Sequence, residues 1–364
     1  MTASRPGEPW SPARTLTGPD LRVWEPQLAL DAAGVATIAW IHAQLFDDEV
    51  SSSSVSHIKV LTRAADGNIS APATVAAEPA GAALLRLAVN AFGVGVLAAQ
   101  VGSHVHVSSR LTLDGPWEPL TALLNDASAS SSAPYAVGVS ASGTCHVLFW
   151  RQGPVLSSND VACASRRFQS GAWSPLVELS APNLDLQEGA IVFLGQDALF
   201  VYTGAFGVGG GFPGTGVMQT ARWPPHALQP TEPVDLAPPG PSHDLIQVAV
   251  DNAGGAVVVE RNWDTGEERL LTTAYDATPP TLVSATVPDT VAVGEVVQLR
   301  SRHVDAWSDV ADVRWEFDDG SPPARGSTVT HAWPAPGPYD VRVTATDTHG
   351  NMATSTFTIT AARG

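Results

Sequence analysis

Four polar residues stand at the heads of apolar, alternating segments, and their types could do chemistry. Glu25 precedes Pro26-Gln-Leu-Ala-Leu30, Glu188 precedes Gly189-Ala-Ile-Val-Phe-Leu194, and His243-Asp244 precedes Leu245-Ile-Gln-Val-Ala-Val250. Three carboxylates brought to one point can hydrolyse a glycosidic bond, one as acid, one as base or nucleophile, one tuning a pKa. If the chain is an enzyme, Glu25, Glu188 and Asp244 are its expected catalytic groups. If it only binds, the same three with His243 are the ligand-binding candidates. The plainer expectation is that acids in an acidic chain occupy turns ahead of strands, because spacing alone shows no convergence. Two further segments offer Leu84 and Pro134 at the corresponding place.

The remaining chemical signals are weaker. His104 and His106 alternate on one strand, so both rings face one side, but two ligands make no zinc site without a third. Gly207-Val-Gly-Gly-Gly-Phe-Pro-Gly-Thr-Gly216 lacks the Gly-Lys-Ser/Thr ending of a phosphate loop and reads as an inter-strand loop. Thr112-Leu-Asp-Gly-Pro-Trp117 is one residue short of the Ser-x-Asp-x-Gly-x-x-Trp box of sialidases and reads as a hairpin turn. No Gly-x-Ser-x-Gly elbow serves a nucleophilic serine. Asp318-Asp319 is explained by turn chemistry without calcium. No metal and no cofactor are expected. Cys145 and Cys163 flank a turn at Gly153-Pro154 and face each other across it if the strands are antiparallel. They are either a cross-strand disulfide, which would indicate an oxidising compartment, or two buried thiols.

The elements that must position these groups form a repeat. Pro26 to Asp31 alternates, Asp31-Ala-Ala-Gly34 turns, and a second strand ends at Trp40. His57 to Arg63 is a third strand, and a fourth opens after Asp66-Gly67. The order recurs from Leu85, Tyr135, Ala190 and Asp244. Arginines close the third strand at 63, 110, 166 and 222, spacings of 47, 56 and 56 residues. That period fits a four-stranded propeller blade, since the strands alternate and β-branched residues abound. Five blades are counted, or six if a degenerate one hides at 120–134 or 203–216. Trp10-Ser-Pro-Ala-Arg-Thr-Leu16 matches Trp173-Ser-Pro-Leu-Val-Glu-Leu179, a fourth strand, while the fifth repeat stops after its third. The opening segment is therefore expected to complete the last blade and close the ring. Trp10, Trp117, Trp173 and Trp223 recur at one blade position. They read as packing residues between blades, with sugar stacking as the alternative.

Thr278-Pro-Pro280 interrupts the repeat. The expected layout is a propeller over 1–276, a linker over 277–281 and a β-sandwich over 282–364. In the sandwich Trp315, Phe317, Val341 and Val343 fill the core. Trp315-Glu-Phe-Asp-Asp-Gly320 resembles the Trp-Asp-Phe-Gly-Asp-Gly signature of PKD domains. His331-Ala-Trp333, Pro336-Gly-Pro-Tyr-Asp-Val-Arg-Val343 and Asp347-Thr-His-Gly-Asn351 continue that pattern in order. Asp318 and Trp333 depart from the family's usual Gly and Tyr. The resemblance implies an immunoglobulin-like spacer or adhesion module of the cell exterior, not itself an enzyme. The repeats resemble, more loosely, those of secreted bacterial propellers.

The net charge is −17, divided −13 over residues 1–276 and −4 over 277–364, which disfavours a phosphate backbone as partner. No apolar run is long enough to cross a bilayer as a helix, and Met1 to Trp10 shows no basic-then-apolar leader. The expectation is an all-β, extracellular or cell-surface protein, probing a polysaccharide or a surface protein as a monomer. It binds and does not cleave; the alternative is a propeller glycoside hydrolase.

Overall fold

The computed structural model describes residues 13–18, 21–44, 55–78, 80–123, 131–152, 159–166, 171–180, 184–206, 215–240, 243–251, 255–264 and 267–363. Every regular element among them is a strand. Two compact units separate, Met1–Ala249 with Val258–Thr273, and Val250–Val257 with Ala274–Gly364.

The first unit is a β-propeller built of consecutive antiparallel sheets in simple meander order. The first holds β1 (Leu21–Leu30), β2 (Ala36–Gln44), β3 (Ser56–Arg63) and β4 (Ala73–Glu78). The second holds β5 (Ala82–Val89), β6 (Gly95–Val101), β7 (His104–Arg110) and β8 (Thr121–Ala122). The third holds β9 (Ser131–Val139), β10 (Cys145–Gln152), β11 (Asn159–Arg166) and β12 (Val177–Glu178). The fourth holds β13 (Leu184–Leu194), β14 (Asp197–Phe206), β15 (Thr215–Trp223) and β16 (Val234–Asp235). A fifth contains β17 (His243–Val250), β18 (Ala256–Asp264) and β19 (Glu267–Tyr275).

Alternation along each strand puts apolar side chains on both faces, and consecutive sheets bury them against one another. Ile41, Ile58, Leu85 and Leu97 fill the space between the first two sheets. Val96, Val105, Val147 and Phe149 fill the next, and Leu148, Phe200, Tyr202 and Trp223 the one after. Close approach needs glycine at two inner-strand positions. A Cβ on Gly138 would lie 2.9 Å from Ile191, and one on Gly189 would lie 2.5 Å from Leu148.

The turn after each inner strand explains the Asp-x-x-Gly pattern. Asp31 Oδ1 accepts from Val35 N at 2.8 Å, Asn90 Oδ1 from Val94 N at 3.0 Å, and Ser140 Oγ from Thr144 N at 3.0 Å. Gly34, Gly93 and Gly143 supply the left-handed φ (76°, 80° and 84°) that the turn requires. These turns also bond sheet to sheet. Ala32 N donates to Ala91 O at 3.2 Å, Asn90 Nδ2 to Ser140 O at 2.9 Å, and Ser142 N to Gln196 Oε1 at 3.2 Å.

The expected ring closure is not made by the described residues. Trp10 lies outside them, and residues 13–18 form no strand. A closing strand would bury its inward side chains and ladder its backbone, yet Leu16 is 36% exposed. The faces such closure would cover stay open, with Leu28 and Leu30 of β1 and Leu270 and Leu271 of β19 exposed. The loop over 207–214 also lies outside the described residues.

In the second unit β20 (Thr281–Thr286), β22 (Val297–Val304) and β25 (Thr328–His331) form one sheet. The other consists of β21 (Thr290–Ala292), β23 (Val310–Glu316), β24 (Ala324–Arg325), β26 (Gly337–Asp347) and β27 (Met352–Ala362). Trp315, Trp333, Leu299, Val341 and Val343 form the core. Trp315 Nε1 donates to Gly326 O at 3.0 Å and Trp333 Nε1 to Phe317 O at 3.1 Å, so neither buried indole is left unsatisfied. His331 stacks on Phe317 at 3.8 Å and its Nε2 meets Asp319 Oδ2 at 2.8 Å. The segment before Pro279 is held rather than loose. Asn351 Nδ2 donates to Asp276 O at 3.2 Å, and His349 Nδ1 lies 3.3 Å from Asp276 Oδ2.

Candidate functional site: the bulged mouth of the inner strands

The inner strands of four consecutive sheets share one irregularity. Each carries an extra residue near its start, between Trp24 and Gln27 in β1, Ala83 and Arg86 in β5, Pro134 and Ala136 in β9, and Leu186 and Glu188 in β13. Such bulges bend a strand and re-aim its side chains. Two of them hold non-glycine residues in the left-handed region, Glu25 at φ 55° and Leu84 at φ 52°. That conformation costs on the order of 1–3 kcal/mol per residue and persists only where the surroundings enforce it.

An ion pair and two hydrogen bonds link the bulges across four sheets. The Arg86 guanidinium lies 3.8 Å from Glu25 Oε2 of the first sheet and donates from Nε to Tyr135 O of the third at 2.8 Å. Tyr135 in turn donates its hydroxyl proton to Leu186 O of the fourth sheet at 2.7 Å. Glu25 and Arg86 are each about one-third exposed (27% and 30%), so the pair is reachable from solvent.

The sequence candidates fall into different environments. Glu25 sits on the first bulge, and Glu188 follows the fourth and is exposed. Asp244, one residue into β17, is engaged by Arg261, whose Nε donates at 3.0 Å. Arg261 also reaches Glu268 at 3.3 Å. The hydrogen bond and charge of Asp244 raise the Arg261 pKa further. His243 points the other way. It is 1% exposed, and its Nδ1 meets Oε2 of the equally buried Glu260 at 2.8 Å. Among the described residues no three His, Cys, Asp or Glu side chains stand close enough together to hold a metal ion.

Arg86, Tyr135, Glu260 and Arg261 escape sequence reasoning. Arg86 lies one residue into the repeat that begins at Leu85, but nothing in the alternation marks it as a bridge between sheets. Bulges leave no compositional signature there either, since Leu84 and Glu25 share only their place in the repeat.

Other expectations resolve structurally. The cross-strand pairing of Cys145 and Cys163 is overturned by the register, which puts Arg166 opposite Cys145 and Leu148 opposite Cys163. Three residues of offset is about 10 Å along a strand, beyond the reach of a disulfide. His106 Nδ1 meets His104 O at 3.1 Å, a local contact within β7. Trp117, Trp173 and Trp223 pack against the inter-sheet cores. One of the recurrent arginines, Arg110, is buried. It bonds Gly93 O at 3.1 Å and Thr37 Oγ1 at 3.1 Å, and its guanidinium lies 5.3 Å from the Trp117 ring. Burial lowers its pKa.

Residues 277–361 match the family model of the PKD domain, and this part of the chain is a PKD domain. No curated protein matches the chain. Among solved structures, the chain is similar to the PKD1 domain of Vibrio anguillarum Epp, at 19% identity and a TM-score of 0.21, covering 24% of this chain and 100% of that one. It is also similar to the Hadza microbial sialidase Hz136, at 12% identity and a TM-score of 0.44. The match covers 70% of this chain and 56% of the sialidase. An endo-arabinase from Bacteroides thetaiotaomicron gives 13% identity and a TM-score of 0.32, covering 69% and 93%. Likenesses at this identity concern the fold and say nothing about substrate.

Proposed function

We propose that the chain is a non-enzymatic binding protein of the cell exterior, whose propeller holds a polysaccharide at the bulged mouth of its inner strands while the PKD domain acts as spacer or second contact. The observation that carries this is the recurrence of one bulge in four inner strands, with charged side chains gathered on or beside it. A hydroxyl both donates and accepts, so a surface that alternates Glu25 with Arg86, and Asp244 with Arg261, suits a sugar better than a surface of one sign. Glu25 and Asp244 each have an arginine partner. The layout of propeller over 1–276, joining segment over 277–281 and sandwich over 282–364 belongs to the same proposal.

A glycan array with the full chain tests it. Retention of a polysaccharide without turnover, reduced at least tenfold by Glu25→Gln or Arg86→Met, is expected. Release of reducing ends that is abolished by Glu188→Gln would overturn it in favour of a hydrolase.

A further inference from the structure

The two sheets of the PKD domain carry their charge differently. On β23, β24 and β26 the exposed arginines have acids at hand. Arg314 lies 2.9 Å from Glu316, Arg325 lies 3.0 Å from Asp312, and Arg342 stands opposite Glu316 in the strand register. The sheet of β20, β22 and β25 carries Arg300 and Arg302, and no Asp or Glu stands on any of its three strands. In a chain with 36 acidic residues against 19 lysines and arginines, that sheet is a local reversal of sign.

Alternation puts both arginines on the outer face. Leu299 and Ser301 are buried, while Gln298, Arg300 and Arg302 are exposed. Two residues of strand separate the arginines by about 7 Å. The register sets Thr286 and Thr328 on either side of Arg300, and Ser284 beside Arg302. These five side chains are exposed and line one hollow of about 230 Å³.

Neither guanidinium is neutralised. Arg300 and Arg302 make no ion pair among the described residues, and Asp312, which lines the adjoining cavity with Arg302, is held by Arg325. Gln298 Oε1 accepts from Arg300 Nε at 2.9 Å and from Nη2 at 2.5 Å, which fixes that guanidinium and leaves Nη1 unbonded.

We infer that the outer face of β20, β22 and β25 docks a polyuronate, with carboxylates on Arg300 and Arg302 and ring hydroxyls on Ser284, Thr286 and Thr328. Charge complementarity names this occupant. The planar guanidinium fork matches a carboxylate, and serine and threonine hydroxyls both donate and accept, as sugar hydroxyls do. Two cations suit a polymer with a single charge on each sugar. A densely charged polymer, such as a nucleic acid or a heavily sulfated glycan, would meet the repulsion of the net −17 with too few cations to offset it. The inference gives a partner to the second contact of the proposed function and rests on that part of it alone.

The test is affinity electrophoresis of the full chain in gels containing polygalacturonate, dextran sulfate or neutral dextran, each read against a gel without polymer. Retardation by polygalacturonate alone is expected. The double variant Arg300→Gln/Arg302→Gln should weaken it at least tenfold and leave thermal unfolding unchanged, because both side chains are exposed. Arg314→Gln, on the other sheet, should bind as the parent does. Hydrogen exchange locates the contact, and polygalacturonate should protect peptides over 281–286, 297–304 and 328–331. Protection confined to peptides over 21–30 and 184–194 would put the polymer at the propeller mouth, overturning this inference and leaving the propeller reading standing. No retardation by polygalacturonate, equal retardation by dextran or dextran sulfate, or undiminished binding by the double variant would each overturn it as well.

Discussion

Arg86 donates from Nε to the carbonyl of Tyr135 at 2.8 Å, and through that bond the inner strand of one propeller sheet holds the bulge of the next. The same guanidinium also reaches Leu85 O at 2.9 Å from Nη1. Arg86→Met keeps the aliphatic stem and removes every donor. It should destabilise the propeller by about 1–3 kcal/mol, the range for stranding part-buried partners of a charged donor. Tyr135→Phe, which loses the bond to Leu186 O, should cost about 1 kcal/mol. Chemical denaturation followed by tryptophan fluorescence measures both. A variant as stable as the parent in each case would mean that the bulges are held by packing alone.

His146 makes stability depend on pH. It is 5% exposed, ringed by Phe193, Phe200 and Trp223 at 5.8–5.9 Å, and burial pushes its pKa down from 6.5 to about 4. Between those values the unfolded chain binds a proton that the folded chain does not. Stability is therefore complete above pH 6.5 and declines as the pH falls toward 4, by about 3 kcal/mol in all. His146→Leu should flatten the difference in denaturation midpoint between pH 6.5 and 5. A parallel decline in parent and variant would assign the slope to other groups.

The turn residues can be exchanged according to what each bonds. Asp31→Asn should be nearly neutral, because an amide oxygen fills the same role at Asn90. Asn90→Ala should cost about 2–3 kcal/mol, since it strands Phe92 N and Val94 N and also severs the bond to Ser140 O in the next sheet. Thermal unfolding of the two variants side by side checks the ordering, and a larger loss for Asp31→Asn would contradict it.

The strand order and the turns were legible because both leave periodic marks. The Asp-x-x-Gly turns need an acceptor and a left-handed glycine at fixed spacing, and alternation fixes which side chains are buried. The PKD core was legible for the same reason, and Trp315, Phe317, Val341 and Val343 are all buried in it. What could not be read depends on register. A bulge shifts pairing by one residue without changing composition, so neither the left-handed Glu25 nor the bridge from Arg86 shows in the sequence. The cysteine pairing failed on the same point: symmetry about Gly153-Pro154 supposes one register, and β10 and β11 adopt another three residues away. His243 and Asp244 looked like one site, yet alternation sends the first into the interior with Glu260 and the second outward to Arg261.

That divergence yields the last prediction. His243 and Glu260 are both 1% exposed, whereas Asp244 and Arg261 are 27% and 43% exposed. Removing one member of a buried pair leaves the other desolvated without its partner, while an exposed pair is replaced by water. Glu260→Leu should therefore lower stability by about 1–3 kcal/mol, and Glu260→Gln, whose amide oxygen still meets His243, by less. Arg261→Met should leave the unfolding midpoint unchanged and alter only what the mouth binds. Denaturation curves for the three variants, read beside glycan-array retention, separate the roles. If Arg261→Met unfolds as readily as Glu260→Leu, the exposed pair is structural and Asp244 loses its place in the proposed binding surface.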